Sequence, residues 1–248
     1  MEEYQRRCDH KLLPRVPIMM VLNGRNFAKT TQLLDKPYCS KLAEALLSTT
    51  LKLCTEIEGV FFAYQHNDEI VIALRNDQHP DTRPWYDGSV QKIASVSSAL
   101  ATLHFNRVSD KLELNLSGDA IFTGHVFEVG TMTEAINSFV YKQQANFHSS
   151  IQSACLYNLL SKYDRDTIRD MLSGLGIDEK IDLLWQECGV SFNDYPLSFR
   201  RGAAVYKVPK IINDAIKEKW HLNAELPIFT KDTSFLHNIF RIGADIFG

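Results

Sequence analysis

The chain has 248 residues, 45% apolar and 10% aromatic, enough to bury a sizeable core and too apolar for a disordered chain. Lys+Arg 27 against Asp+Glu 30 leaves a formal net charge of −3, which argues against a surface coated in basic groups for nucleic acid and confines such contacts to local clusters. Five widely spaced cysteines with no C-x-x-C pair give no sign of a disulfide framework or a zinc site and read as free thiols.

Taken in chain order, the first feature is a basic stretch of Arg6, Arg7, Lys11 and Arg15. Val16–Leu22 is the longest apolar run; it contains Pro17, is too short to span a bilayer, and reads as a buried strand ending at Asn23-Gly24. The opening residues lack a signal peptide's apolar segment, so a cytoplasmic protein without a membrane partner is expected. From Lys36 to Glu58 the period becomes helical, with Leu42, Leu46, Thr49, Leu53 and Ile57 on one face. Pro37 suits the first turn there, and Gly59 the C-terminal cap. Val60–Tyr64 and Glu69–Leu74 are β-rich segments around the turn-like Gln65-His66-Asn67-Asp68, hence a hairpin. Asp87 is suited to cap a second helix carrying Val90, Ile93, Ser97, Leu100 and His104 on one face, and Ala120–Val129 reads as a further strand.

The capping box Thr131-Met132-Thr133-Glu134 opens a helix through Ile136, Phe139, Val140 and Gln143, and Ile151–Leu160 reads as another. Asp164–Cys188 divides into two shorter helices at Gly174 and Gly176, with Gly189 as a stop, and Ala203–Val208 reads as a strand. A second basic stretch comprises Arg200, Arg201, Lys207 and Lys210.

The order β-α-β-β-α-β predicts an α+β, ferredoxin-like domain over residues 1–160, followed by a mostly helical, mixed extension over 161–248. In that topology the third strand lies between the first two and runs antiparallel to both. Asn23 and Asp68, far apart in sequence, are then neighbours at one edge of the sheet.

That edge gathers the residues with chemistry. The backbone amides of Gly24, Arg25, Asn26 and Phe27 follow a buried strand, where a phosphate chain can lie against them, although Asn-Gly is equally a turn signal. Asp68 and Glu69 form an acidic pair at the head of an apolar strand. Asp68 suits Mg²⁺, which takes one or two protein carboxylates plus substrate phosphates; a plain turn is the alternative. Lys92 and Ser95, one turn apart near the start of the second helix, are candidates for a triphosphate or simply solvated. Neither a P-loop nor a G-x-S-x-G elbow is present.

Several segments in register resemble the tRNA-His guanylyltransferase family and its bacterial and phage relatives. They are Leu13-Pro14-Arg15-Val16-Pro17-Ile18, Asn23-Gly24-Arg25-Asn26-Phe27, His66-Asn67-Asp68-Glu69, Tyr86 to Ile93 with Ser95, Tyr141-Lys142-Gln143-Gln144, Arg201 to Tyr206, and Pro227-Ile228-Phe229-Thr230. The resemblance implies a polymerase-type palm with two Mg²⁺ ions that adds nucleotides from nucleoside triphosphates to the 5′ end of tRNA, in the 3′-to-5′ direction. It implies a homotetramer, and it makes Asn23, the Gly24 carbonyl and Asp68 the metal positions, with Asp68 and Glu69 as catalytic acids. The segment Tyr86–Ile93 is closer to the bacterial and phage branch, which repairs truncated tRNA.

The departures fall in one pocket. Asn23 stands where the family's first metal aspartate belongs, Ala28 replaces a histidine, Thr123 an Asp and His125 an Arg. Ala145 to Ser150 reads Ala-Asn-Phe-His-Ser-Ser where the relatives have Asp-Ala-Thr-Arg-Asn-Ser. Two readings follow: a weakened nucleotidyltransferase, or an inactive palm that binds RNA or nucleotide or partners an active paralogue. A cyclase-like or signalling palm is a third, on fold analogy alone.

Overall fold

The computed structural model describes residues 2–7, 9–212 and 215–242. In chain order its elements are α1 (Glu2–Arg7), β1 (Ile18–Gly24), the one-turn α2 (Phe27–Thr30), α3 (Ser40–Glu56), β2 (Val60–His66), β3 (Glu69–Leu74), a 3₁₀ turn (Trp85–Gly88), α4 (Val90–Lys111), β4 (Phe122–Glu128) and α5 (Met132–Leu159). There follow α6 (Arg165–Leu172), α7 (Ile177–Cys188), a second 3₁₀ turn (Phe192–Asp194), α8 (Leu197–Arg201), β5 (Ala203–Ile212), β6 (Ala215–Asn223) and α9 (Thr233–Ile242). Cys8 lies outside the described residues.

Among the described residues the strands form one antiparallel sheet in the order β4-β1-β3-β2-β5-β6. β3 lies between β1 and β2 and is antiparallel to both, the arrangement the element order demanded. The chain is therefore a mixed α/β fold on a six-stranded antiparallel sheet, wider than expected because β5 extends it from β2 and β6 from β5. Alternation along the strands sends Ile18, Met20, Leu22, Ile70 and Ile72 into one core beneath α3 and α4. Met19, Val21, Val71 and Ala73 enter a second core with Phe139 of α5 and Phe240 of α9. Burial on both faces is why β1 and β3 read as continuous apolar runs rather than alternating ones. A third cluster joins the later turns of α5 to α6, α7 and α8 through Ile151, Leu159, Ile168, Leu184 and Phe199.

Several expectations need correction. α3 starts at Ser40, after an extended Cys39, and not near Pro37. Its cap is Ile57; Gly59, at φ 80°, instead turns the chain into β2, its carbonyl accepting from the Arg75 amide at 2.9 Å. Asp87 caps nothing, because Tyr86 and Asp87 both take left-handed backbone (φ 51° and 50°) in the 3₁₀ turn and Ser89 precedes α4. Ile151–Leu160 is no separate helix: α5 runs unbroken for 28 residues, since Gln144–Ser150 contains neither Gly nor Pro to stop it. β6 escaped notice because Lys217-Glu218-Lys219 lacks apolar alternation; pairing with β5 makes it a strand. The Thr131 cap is present, its hydroxyl accepting from the Glu134 amide at 3.2 Å.

Candidate functional site

β1 carries Asn23 and Gly24 to the rim of the sheet, and the two-residue turn Asn67-Asp68 brings the start of β3 beside them. Asn67 takes φ 49°, which asparagine tolerates in such turns. The Gly24 amide donates to the Asp68 carbonyl at 3.0 Å. Asn23 stands opposite Glu69 on one neighbour strand and Thr123 on the other. By alternation these three residues share the sheet face that Met19 and Val21 present to α5. From α5, Lys142 Nζ donates to Glu69 Oε2 at 2.6 Å, both side chains largely shielded from water.

Gly24 is dictated by space. A Cβ there would sit 2.4 Å from Phe27 Cδ2. The Phe27 ring cannot yield, because it packs against Phe105 and Phe122 with centroids at 5.4 and 5.9 Å. The phosphate cradle is narrower than the sequence suggested, since the Gly24 amide is bonded to Asp68 and the Arg25 amide to the Ile121 carbonyl at 2.7 Å. The Asn26 and Phe27 amides, at the head of α2, have no backbone acceptor among the described residues.

Lys92 and Ser95 do not join this group. Gly24 pairs with Phe122, whose amide donates to Thr102 Oγ1 at 3.0 Å, so the rim lies beneath the later turns of α4. Lys92 and Ser95 precede Thr102 by about 15 and 10 Å of helix. The Ser95 hydroxyl is spent on the Lys92 carbonyl at 3.2 Å.

Partial burial, reinforced by the charge of Glu69, holds the Asp68 carboxyl above the usual carboxylate range. His66, next to the turn and opposite Glu69, lies on the same face and is turned to α5 and α8. Its Nε2 lies 2.8 Å from both Ser150 Oγ and the Phe199 carbonyl, and burial lowers its pKa to about 4, so it is a neutral joint between β2, α5 and α8. Lys142 was the residue that sequence reasoning missed; its sole signal was a charge among the Tyr141–Gln144 positions.

The C-terminal basic stretch is partly consumed in structure. Arg200 bonds the Tyr195 carbonyl and Asn193 Oδ1, Arg201 the Leu226 carbonyl, and Lys207 pairs with Glu218 at 3.3 Å. In the N-terminal stretch Arg7 pairs with Glu3 at 2.9 Å, and the Arg6 side chain lies outside the described residues. No group of three or more His, Cys, Asp or Glu side chains converges for a metal among the described residues, and no described helix is long and apolar enough to cross a membrane.

Comparison with known proteins bears on this geometry. A solved bacterial tRNA(His) guanylyltransferase (Thg1)-like protein in complex with ATP superposes with TM-score 0.83 and 27% identity, over 97% of this chain and 96% of that one. A GTP complex of such a bacterial protein gives 0.76 and 26%, over 97% and 96%. The tRNA(His) guanylyltransferase of Saccharomyces cerevisiae shares the fold, with TM-score 0.72 at 15% identity over 87% of this chain and 94% of that one. In sequence, tRNA(His) guanylyltransferase 1 of Arabidopsis thaliana is 22% identical over 214 residues, 85% of this chain; the chain spans 37% of that relative's length. The family model for tRNAHis guanylyltransferase matches residues 1–130, more than half of the chain, and the chain belongs to that family.

Proposed function

We propose that this chain holds a nucleoside triphosphate at the Gly24–Asp68 rim and transfers a nucleotide from it to the 5′ end of a tRNA, in the 3′-to-5′ direction, at a rate limited by Asn23. The observation that carries the reading is the 3.0 Å bond from the Gly24 amide to the Asp68 carbonyl, which seats an acid beside the loop that leads to the Asn26 and Phe27 amides, without a backbone acceptor among the described residues. The family supports nucleotide addition to tRNA, and similar bacterial structures hold ATP and GTP. The β4-β1-β3-β2 order supports reading residues 1–160 as a ferredoxin-like palm and 161–248 as an extension packed on it. The family's tetramer and a cytoplasmic setting belong to the same proposal.

The donor set fits one Mg²⁺ and not two. Asp68 offers a carboxylate without a side-chain partner among the described residues; the Gly24 carbonyl and the Asn23 amide oxygen are neutral donors. An ion arriving with the triphosphate needs no more than one or two protein carboxylates and would offset phosphate charge. A second ion needs a bridging acid, and Asn23 cannot supply it. Glu69 is neutralised by Lys142. Asp68 then orients the triphosphate, and the α2 amides bind its oxygens.

The test is incubation with labelled GTP or ATP, Mg²⁺ and a 5′-truncated tRNA. Label in the RNA supports transfer. A second reading, an inactive palm that binds RNA or nucleotide, is favoured by the Glu69–Lys142 pair together with Asn23; RNA binding without incorporation would decide for it.

A further inference from the structure

The opposite end of the sheet contains a second polar site. Where Ile18 opens β1 and Leu74 closes β3, a cavity of about 320 Å³ is lined by these two residues with Arg75, Asn76, Gln78 and Trp85. Asn76 and Arg75 are 2% and 6% exposed, yet Asn76 Nδ2, Asn76 Oδ1, Arg75 Nη1 and Gln78 Oε1 find no hydrogen-bond partner among the described residues. Four such atoms on three residues of one short segment are costly, since each unmet group forfeits about 1–3 kcal/mol. The terminal torsion of a carboxamide is broad, so Asn76 can turn its amide toward the cavity at little cost.

The unmet groups state what would meet them. The charge of Arg75 is already answered by Asp77, which accepts from Nε at 2.9 Å and from Nη2 at 3.1 Å. Arg83 on the same lining is paired with Asp87 at 3.6 Å, and the other charged lining residue, Glu58, is an acid. No positive charge is left over to attract an anion. What remains is an adjacent donor and acceptor on Asn76, a further donor on Arg75 and a further acceptor on Gln78, beside the indole of Trp85. A carboxamide pairs through two bonds with the donor–acceptor edge of a nucleobase, and an aromatic face stacks on any base. We infer that this cavity binds a neutral nucleobase, presented by a free nucleoside or by an unpaired base of RNA. At about 3.3 Å per residue, β1 separates it from the Gly24–Asp68 rim by about 20 Å, so one nucleotide cannot fill both sites.

The experiment titrates the full chain, by calorimetry, with adenosine, guanosine and cytidine, which lack the phosphates the rim would bind, and with short single-stranded RNA. Asn76→Leu and Gln78→Leu should each weaken binding at least tenfold while leaving the melting temperature unchanged or higher, because an unmet polar group is removed. Asp68→Ala should leave nucleoside binding unchanged. Nucleoside binding that depends on Asn76 identifies a free ligand as the source; Asn76-dependent binding of the oligonucleotide alone identifies an RNA base. Absence of binding by both, as for a cavity completed by water, would overturn the inference, as would affinities that Asn76→Leu and Gln78→Leu leave intact in folded protein.

Discussion

Lys142 and Glu69, 73 positions apart, meet at 2.6 Å on the sheet face where Asn23 stands opposite Glu69. A cation of the chain thus occupies Glu69, the acid that the sequence offered beside Asp68 as a catalytic candidate. Replacing Lys142 with Met leaves a shielded carboxylate unpaired and should lower stability by about 1–3 kcal/mol. The same change frees Glu69, so Mg²⁺ affinity should rise. Calorimetry with Mg²⁺ and a urea titration check both, and unchanged Mg²⁺ affinity in folded Lys142→Met would detach Glu69 from the site.

Gly24→Ala should cost about 1–3 kcal/mol, because the new methyl meets a phenylalanine ring locked between two others. Thermal melting measures it. A melting temperature equal to the parent's would mean that Phe27 relaxes and that the loop's shape does not depend on glycine.

Asn23→Asp should raise Mg²⁺-dependent nucleotide transfer by an order of magnitude or more, since a carboxylate restores the charge and bridging capacity an amide lacks. Freshly prepared protein with residue 23 verified by mass spectrometry is required, because Asn-Gly can deamidate to Asp. A variant that stays inactive while binding RNA would favour the binding module.

Asp68→Ala should weaken Mg²⁺-nucleotide binding at least tenfold without unfolding the chain, because the turn acid contributes little to the core. Calorimetry with Mg²⁺-ATP, with circular dichroism as a fold control, is the check. Equal affinity in the variant would remove Asp68 from the site.

His66 gives a pH dependence with a definite sign. Its folded pKa, about 4, lies below the ordinary 6.5, so the unfolded chain binds more protons in that interval and stability falls as pH drops from about 6.5 to about 4. His66→Gln should lose less stability across that window than the parent. Parallel melting curves for the two proteins between those pH values would show that His66 is not the group responsible.

How much was legible in the sequence follows the range of the forces involved. Continuous apolar or β-rich runs located β1 and the β2–β3 hairpin, whose strands are buried on both faces, and helical period located α3 and α4, which bury one face, because both signals are written in neighbouring residues. Their order alone implied that β3 lies between its partners, and so that Asn23 and the Asp68 turn meet. Boundaries failed where local signals competed, as at Asp87, whose capping chemistry was overridden by a left-handed turn, and in β6, whose charged residues become a strand only beside β5.

The sequence by itself determined which chemical groups exist: a neutral Asn23 at the rim, an acidic pair in Asp68 and Glu69, and a glycine before the loop. Tertiary structure alone decided which of them are free to act. It tied Glu69 to Lys142, spent the Gly24 and Arg25 amides on backbone carbonyls, set Lys92 and Ser95 about 15 and 10 Å of helix before Thr102, and left the Asn76 side chain buried without a hydrogen-bond partner among the described residues. The physical reason is that hydrogen bonds and ion pairs form between groups the fold brings together, and no local pattern records a contact across 73 positions.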